Sequence, residues 1–255
     1  MSETIDLQKA RYPDLSDRRV VIAGGTGNVG EGIVRAWLAT GAHVVVPSRA
    51  KSTVDQFRQV LSDLDQPEAL EFVTGNYTSF DGANALAEQI VAEYGSVTDV
   101  VASIGGWWQG KPLWEITEDE WQRYFVDLST THVALVRAWI PRLPEKASYQ
   151  LILGGSAVSP VSGASIINMQ QAGLLMMRRV LSKEVGDQHR ITSQMLGPVI
   201  TRARERHDPN WVSKDEVGLA SVGIADNPDV AHENFVSQNK TQMREVLQSL
   251  DVYPE

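Results

Sequence analysis

The fold is decided by residues 20–32, which read VVIAGGTGNVGEG. An apolar run rich in β-branched residues enters a cluster of glycines, and residues 33–38 continue with the spacing of a helix buried on one face. This order predicts a strand, a tight turn and a helix. Glycine permits positive φ and close approach of a ligand, and the free N–H groups at a helix start attract phosphate. The pattern favours a nucleotide-binding turn over a tight turn without a ligand, with the candidate residues Gly24, Thr26, Gly27, Asn28, Val29 and Gly30.

The composition is that of a globular protein, with 42% hydrophobic and 22% charged residues in a chain of 255. That length suits one large domain better than two small ones. A net charge of −9 argues against general binding to nucleic acid or to anionic membranes. The lack of cysteine excludes disulfides and thiolate chemistry, and no metal site is predicted. Residues 1–18 are interpreted as a loose polar leader without an apolar signal core, so a cytoplasmic location is expected.

Short apolar runs alternate with helical patterns along the rest of the chain. Strands are predicted at 42–46, 70–74, 97–104, 150–153 and 191–196, and helices at 81–94, 118–143 and 164–185. Such alternation is typical of a parallel sheet covered on both faces. The predicted fold class is therefore α/β, with a doubly wound, Rossmann-like sheet in a single domain over residues 19–255. Towards the end, a polar helical tail is predicted over 240–250.

In a nucleotide-binding unit of this kind, the residues after the second strand contact the adenosine ribose. A carboxylate there accepts hydrogen bonds from the ribose hydroxyls and repels a 2′-phosphate. Residues 44–54 contain no carboxylate, whereas Ser48, Arg49 and Lys51 stand at the end of the strand. A guanidinium binds phosphate through two parallel hydrogen bonds. We therefore predict that the cofactor is NADP(H); the alternative is that two surface cations merely follow the strand.

The order of these motifs resembles that of the short-chain dehydrogenase/reductase family over residues 18–225. Beyond them the resemblance weakens, and residues 234–237 replace the family's glycine-rich closing strand. The glycine turn is similar to the family's TGxxGxxG element, with Ala23 in place of the threonine, and residues 102–105 stand at its Asn-Asn-Ala-Gly. Asn76 falls where the family has an aspartate near the adenine, and residues 196–201 look like its PGxxxT element, which meets the nicotinamide carboxamide. The resemblance thus implies that cofactor contacts also come from Asn76, Tyr77, Ser103, Gly105, Gln171, Gly197, Val199 and Thr201.

The catalytic residues are where the sequence departs from the family. Its members transfer hydride with a serine that orients the substrate oxygen, a tyrosine that donates the proton and a lysine that holds the nicotinamide ribose. Ser156 stands at the serine position, but the tyrosine and lysine positions hold Ile167 and Gln171. The longer spacing of the family's enoyl reductases gives Ile166 and Gly173 instead. Isoleucine donates no proton, whereas glutamine can still bond to the ribose hydroxyls.

Three functions stay open on this sequence. The leading hypothesis is an NADP(H)-dependent oxidoreductase with a non-standard active site, which transfers hydride to or from a carbonyl, an alcohol or an alkene. Its proton then comes from water or from another side chain, with Ser156, Asn168, Gln170 and His132 as candidates. The alternatives are a catalytically inactive NADP(H)-binding sensor or assembly partner, and a non-redox enzyme on the same fold.

Two further stretches are interpreted by their position. Trp107, Trp108 and Trp114 follow the fourth predicted strand, where this fold binds ligands, so they are candidates for the substrate pocket; bracing of the loop or of a subunit contact is equally open. Residues 202–208 hold three arginines, which either receive an anionic substrate or cofactor phosphates, or form a solvated, salt-bridged helix start. The resemblance also implies a small-molecule substrate and a homodimer or homotetramer built on the long helices.

Overall fold

The computed structural model describes residues 5–64, 68–204 and 207–254. The strands are β1 (Arg19–Ala23), β2 (His43–Ser48), β3 (Leu70–Thr74), β4 (Asp99–Ala102), β5 (Ser148–Gly154), β6 (Arg190–Leu196), β7 (Val199–Ile200), β8 (Val212–Ser213) and β9 (Asn234–Ser237). The helices are α1 (Gly30–Ala39), α2 (Lys51–Val60), α3 (Phe80–Tyr94), α4 (Glu118–Trp121), α5 (Asp127–Trp139), α6 (Ser165–Val185), α7 (Lys214–Asp226) and α8 (Lys240–Ser249).

The main sheet runs in the order β3-β2-β1-β4-β5-β6-β9, and every neighbouring pair in it is parallel. Because parallel neighbours need crossovers, helices cover both faces, and the α/β, doubly wound, Rossmann-like prediction is confirmed. Buried apolar side chains form one cluster on each face, with Trp37 and Leu247 on one side and Leu135 and Leu174 on the other. The order of strands reverses beside β1, which places the β1 and β4 ends at the point where such folds bind ligands.

Helices α1 and α7 cross at a pair of glycines. A Cβ at Gly32 would lie 2.0 Å from the carbonyl oxygen of Lys214, and one at Gly218 would lie 2.2 Å from that of Gly32. No side chain fits at either position, so the two helices approach backbone to backbone. The contact holds the start of α7 beside the first turn of α1.

Both ends of the chain differ from the sequence-based expectation. The leader is not loose over its described part, because Ile5 and Leu15 are buried and the amide of Asp6 donates to the Tyr253 hydroxyl over 3.1 Å. The closing strand is present as β9, which pairs with β6, although it lacks the glycines expected there. The polar tail is helical, as predicted, and forms α8. Within the described ranges, no helix is both long and apolar enough to cross a membrane.

Candidate functional site

The turn between β1 and α1 can be built only from glycine at two positions. Gly24 has a φ of +81°, and a Cβ there would lie 2.2 Å from the carbonyl oxygen of Ser103. A Cβ at Gly30 would lie 2.2 Å from the carbonyl oxygen of Gly24. The Gly27 amide closes the turn by donating to Gly24 over 2.9 Å. The turn therefore packs closely against Ser103, the residue after β4, and against the first residue of α1, an approach that requires glycine.

A cleft of about 710 Å³ opens at this turn, along the carboxyl ends of β1, β4, β5 and β6. Helix α1 starts without a side-chain cap at Val29, so its first N–H groups have no side-chain acceptor there. Most of the predicted contact residues share this cleft. They are Gly27, Asn28, Val29, Gly30, Ser103, Gly105, Trp107, Ser156, Gln171, Gly197, Val199 and Thr201.

A second group of predicted residues lies at the ends of β2 and β3. Ser48 is buried and its hydroxyl donates to the Ala50 carbonyl over 3.2 Å. Arg49 is exposed beside Tyr77: burial raises the pKa of the Tyr77 hydroxyl, and the positive charge of Arg49 partly offsets that rise. Lys51 is bound to Asp55 at 3.1 Å. Of the two predicted cations, Arg49 is the one without an ion pair in the part of the chain that the structure describes.

The start of α2 and the end of β3 leave polar groups next to Arg49. Helix α2 begins after Ala50, which offers no side-chain cap to the first N–H groups. Asn76 is exposed and its side-chain oxygen accepts from the amide and the hydroxyl of Thr78, over 2.9 and 2.7 Å. This Asx turn fixes the Asn76 side chain just before α3. Arg49 and the uncapped helix start thus form one positively polarised edge.

The position of Ser156 is set by a short turn after β5. Its Oγ is buried and has no hydrogen-bond partner among the described residues. A Cβ on Gly154 would lie 3.3 Å from this Oγ and 3.7 Å from the side-chain oxygen of Gln171. A buried hydroxyl without a partner is unfavourable unless a water or a ligand completes it. The Ser156 hydroxyl is therefore suited to form a hydrogen bond with a water or a ligand in the cleft.

Gln171 is bonded inside the protein. Its side-chain oxygen accepts the Gly154 amide over 2.7 Å, and its nitrogen donates to the side-chain oxygen of Gln170 over 2.8 Å. Ile167, one turn earlier on α6, is 2% exposed and presents an apolar wall to the cleft. At the position of the family's tyrosine, Ile167 thus gives the cleft an apolar surface. At the position of the lysine, Gln171 binds the backbone of β5.

The family model described as short chain dehydrogenase matches residues 18–210. The chain belongs to this family. Members of the short-chain dehydrogenase family are oxidoreductases that bind a nicotinamide cofactor. A probable galactose dehydrogenase, GalD of Rhizobium meliloti, is 25% identical over 222 residues, which cover 83% of this chain and 82% of that protein. The uncharacterized oxidoreductase YvrD of Bacillus subtilis is 25% identical over 190 residues, covering 73% and 70%.

Solved structures of low sequence identity show the same fold. A short chain oxidoreductase from Pseudomonas aeruginosa, described as containing an atypical catalytic center, superposes with a TM-score of 0.79 at 18% identity. The superposition covers 88% of this chain and 97% of the Pseudomonas aeruginosa protein. A blue fluorescent protein from a metagenomic library, solved in complex with NADPH, has a TM-score of 0.76 at 18% identity, with 89% and 98% covered.

The other candidate proton donors have structural contacts in this short-chain dehydrogenase. Gln170 is buried, accepts from Gln171 and does not line the cleft. The Asn168 amide donates to the carbonyls of Ser156 and Ser159, over 2.8 and 3.1 Å, and so braces the Ser156 turn. His132 is fully buried, and its Nε2 lies 3.0 Å from the Ile104 carbonyl. Burial lowers the pKa of His132 to about 4, so the imidazole is neutral at pH 7. Neither of these two side chains lines the cleft.

Only one of the three candidate tryptophans lies on the cleft. Trp107 lines it and is 53% exposed. Trp108 turns away, because its Nε1 donates to Glu120 over 3.3 Å and its ring lies 6.3 Å from that of Tyr124. Trp114 is 84% exposed and is not part of the cleft lining. Trp107 is therefore the one of these three tryptophans that the structure places on the cleft, and the bond of Trp108 to Glu120 fits the alternative, bracing of the loop.

The arginines that follow β7 separate into different environments. Arg202 pairs with the buried carboxylate of Glu31 at 2.6 Å. Arg204 lines the cleft and its guanidinium lies 5.0 Å from the centre of the Trp211 ring. Arg206, the third arginine of that prediction, lies outside the described residues.

Gln238 and Gln109 are among the polar residues of the site that sequence reasoning missed. Gln238, just after β9, lines the cleft, and its carbonyl would lie 2.1 Å from a Cβ on Gly197. Gln109 lines the opposite side and its amide donates to the Ser162 carbonyl over 3.0 Å. Neither belongs to a motif. The glycine at 197 was the one signal that some backbone approaches closely there.

Proposed function

We propose that this chain is an NADP(H)-dependent oxidoreductase of short-chain dehydrogenase type with a non-standard active site. It transfers hydride to or from a carbonyl, an alcohol or an alkene. The observation that carries the proposal is the cleft beside a turn in which neither Gly24 nor Gly30 tolerates a Cβ. A bound nicotinamide supplies or accepts the hydride.

The preference for the phosphorylated cofactor is supported by the edge formed by Arg49 and the start of α2. Arg49 is exposed, beside the Tyr77 hydroxyl, and no carboxylate follows β2 before Asp55, which is already bound to Lys51. A guanidinium and uncapped helix N–H groups together favour a 2′-phosphate. In the NADPH complex of the metagenomic blue fluorescent protein, the same fold binds this cofactor.

The chemical half of the cleft contains the buried Ser156 hydroxyl and an apolar wall. Ser156 is suited to orient a substrate oxygen, because its Oγ is buried and without a partner in the described chain. Ile167 donates no proton, so the proton comes from water or another side chain. Trp107 gives the substrate side an aromatic surface. A structural neighbour from Pseudomonas aeruginosa is likewise described as having an atypical catalytic center.

A second candidate function is cofactor binding without turnover, as a sensor or assembly partner. The contacts of Gln171 favour it, since both ends of its amide are bonded to Gly154 and Gln170. A side chain used in this way stabilises the end of β5 without requiring a reaction. The two functions share the cofactor site and differ at Ile167 and Gln171.

The decisive experiment is a titration of the purified protein with NADPH, NADH and NADP⁺, followed by calorimetry. We expect NADPH to bind more tightly than NADH, and Arg49→Ala to remove that difference while leaving NADH affinity unchanged. Arg58→Ala is the matched control, because Arg58 is also on this side of the sheet but lies over the Phe72 ring. Failure of both reduced cofactors to bind below millimolar concentration would refute the proposal.

Turnover is tested by restoring the family's residues in the double variant Ile167→Tyr with Gln171→Lys. Wild type and variant are assayed with NADPH on a panel of ketones, aldehydes and activated alkenes. Turnover by the wild type on any member supports an oxidoreductase. Turnover by the double variant alone supports the sensor, because the native cleft then lacks only the proton-transfer groups.

Self-association is proposed on the outer faces of α5 and α6. Four large apolar side chains are exposed there: Val133, Met169, Met176 and Val180. The spacing of Met169, Met176 and Val180 puts these three on one face of α6, and exposed apolar residues on one face are typical of protein contacts. Sedimentation of the wild type and of Met176→Glu tests this: a homodimer or homotetramer should weaken or dissociate in the variant.

A further inference from the structure

A buried carboxylate sits in the first turn of α1. The Glu31 side chain is 5% exposed and receives three cations. Arg35 contacts it at 3.0 Å, Arg202 at 2.6 Å and Lys214 at 3.3 Å. Burial by itself would raise the pKa of Glu31, but the Arg202 hydrogen bond and the charge of Lys214 outweigh it, so the pKa is lowered. Glu31 is therefore ionised in the folded protein.

Arg202 connects this carboxylate to the glycine turn. Its Nη2 donates to the Thr26 carbonyl over 3.2 Å, and its Nη1 lies 3.5 Å from the Gly27 carbonyl. The same Gly27 carbonyl accepts the Glu31 amide over 3.0 Å. In a planar trans peptide the next N–H points the opposite way from the carbonyl. The amide of Asn28 is therefore directed away from Arg202 and α1, and Asn28 lines the cleft.

The partners of Glu31 come from three separate parts of the chain. Arg35 belongs to α1 itself, Arg202 follows β7, and Lys214 is the first residue of α7. Lys214 is held close by backbone contact as well, since a Cβ on Gly32 would lie 2.0 Å from its carbonyl oxygen. Glu31 thus fixes both Arg202 and Lys214 against the helix start next to the nucleotide turn.

We propose that Glu31 and Arg202 are positioning residues for the pyrophosphate of the dinucleotide. Glu31 orients the Arg202 guanidinium, and the guanidinium holds the carbonyls of Thr26 and Gly27 on the side away from the cleft, so that the Asn28 amide faces the cleft while the Gly27 amide closes the turn. Arg202 is not among the residues that line the cleft, so it acts through the turn rather than on the ligand. This inference rests on the proposed nucleotide-binding function.

Direct phosphate binding by Arg202 makes the opposite prediction for Glu31. If Arg202 contacted the ligand, the substitution Glu31→Gln would free the guanidinium and strengthen or preserve binding. If Arg202 positions the turn, Glu31→Gln weakens binding because the guanidinium loses its charged anchor. The Glu31→Gln variant keeps the shape of the side chain, which limits the disturbance of α1.

The experiment compares three ligands on the full chain by calorimetry. NADPH and ADP-ribose contain the pyrophosphate, whereas adenosine 2′-monophosphate lacks it. We expect Arg202→Ala and Glu31→Gln to lower the affinity for NADPH and ADP-ribose about tenfold, which corresponds to the loss of one hydrogen bond to a charged group. The affinity for adenosine 2′-monophosphate should not change. Arg202→Lys should recover part of the loss, since one ammonium reaches fewer of the acceptors.

The control is Arg137→Ala, which removes an exposed arginine that lies over the Phe80 ring, away from the turn. It should leave all three affinities unchanged. Unchanged NADPH and ADP-ribose affinities in Arg202→Ala would overturn the inference, as would an equal loss for adenosine 2′-monophosphate. If Glu31→Gln unfolds, the test of the inference rests on Arg202→Ala and Arg202→Lys, because the Arg202 side chain is partly exposed and its replacement disturbs the fold less. A wild type that binds none of the three ligands instead refutes the proposed function.

Discussion

The side-chain oxygen of Gln171 accepts a hydrogen bond of 2.7 Å from the backbone amide of Gly154, at the end of β5. The family's lysine cannot accept such a bond, since an ammonium has donors only. The glutamine therefore ties α6 to β5 through an interaction that belongs to this chain. Gly154 lines the cleft, so this hydrogen bond also fixes the backbone of the cleft next to Ser156.

Removal of this acceptor should destabilise the protein. Gln171→Met keeps the side-chain length but leaves the Gly154 amide unpaired, which we expect to lower the free energy of unfolding by about 1–3 kcal/mol. Urea denaturation followed by circular dichroism measures it. Glu184→Gln, at an exposed position of the same helix outside the proposed self-association face, is the control and should stay within about 0.5 kcal/mol of wild type. Equal stability of Gln171→Met and wild type would mean that water replaces the oxygen.

The two kinds of glycine in this chain should respond oppositely to alanine. Gly30→Ala places a Cβ 2.2 Å from the Gly24 carbonyl, so we expect a loss of about 1–3 kcal/mol and of NADPH binding. A Cβ at Gly173 on α6 would have no atom within 4 Å. Gly173→Ala should therefore raise the free energy of unfolding by about 0.5–1 kcal/mol, because alanine favours a helix. Thermal unfolding and calorimetry compare the variants. NADPH binding retained by Gly30→Ala would exclude the close turn.

Stability should depend on pH through His132. Burial lowers the pKa of His132 to about 4, whereas the unfolded imidazole titrates near 6.5. Between these values the unfolded chain binds a proton that the folded chain does not, so stability falls as the pH drops from about 6.5 to 4. The loss attributable to this one group is about 3 kcal/mol.

Urea unfolding at pH 7, 6, 5 and 4 tests this dependence in wild type and in His132→Gln. Glutamine can donate to the Ile104 carbonyl and does not titrate, so the variant should show the shallower decline. The comparison of slopes removes the contribution of other titrating groups. Parallel curves for the two proteins would place the pH dependence elsewhere.

The ion pair of Glu216 and Lys240 should stabilise the C-terminal helix more than surface pairs do. The two side chains are 2% and 11% exposed, and their charged atoms lie 2.7 Å apart. Lys240→Met leaves a buried carboxylate without its partner, which costs about 3–5 kcal/mol. Adding Glu216→Gln should recover part of that loss. Glu88→Gln, which breaks an exposed pair with Arg142, should cost less than about 0.5 kcal/mol in the same denaturation assay.

Much of the fold was predictable because its signals are local. The glycine turn, the strand and helix that flank it and the later alternation each occupy a short window. The cleft residues from Gly27 to Gly30, and Ser156, follow from the same logic, since residues after parallel strands converge at one edge of the sheet. The strand β9 was missed as a closing strand because its sequence, Asn-Phe-Val-Ser, lacks the expected glycines.

The rest of the site depends on contacts between distant parts of the chain. No local pattern shows that Glu31 will meet Arg202 and Lys214, because those residues arrive from beyond β7 and β8. The sequence could not decide between the substrate pocket and bracing of the loop for Trp108 and Trp114 for the same reason. Trp108 turns towards Glu120, a residue of the next helix, and the number of residues after a strand does not determine that direction.

The close contact of Gly24 with Ser103 has a consequence for biosynthesis. Strand β1 lies between β2 and β4, and β4 is translated long after β1 has left the ribosome. The nucleotide turn cannot take its final shape until β4 has been inserted, because the Ser103 carbonyl forms part of its wall. Long-range pairing of this kind is slow relative to local helix formation. A nascent chain would therefore bind the dinucleotide only after the central strands have paired, and binding would not promote the early steps of folding.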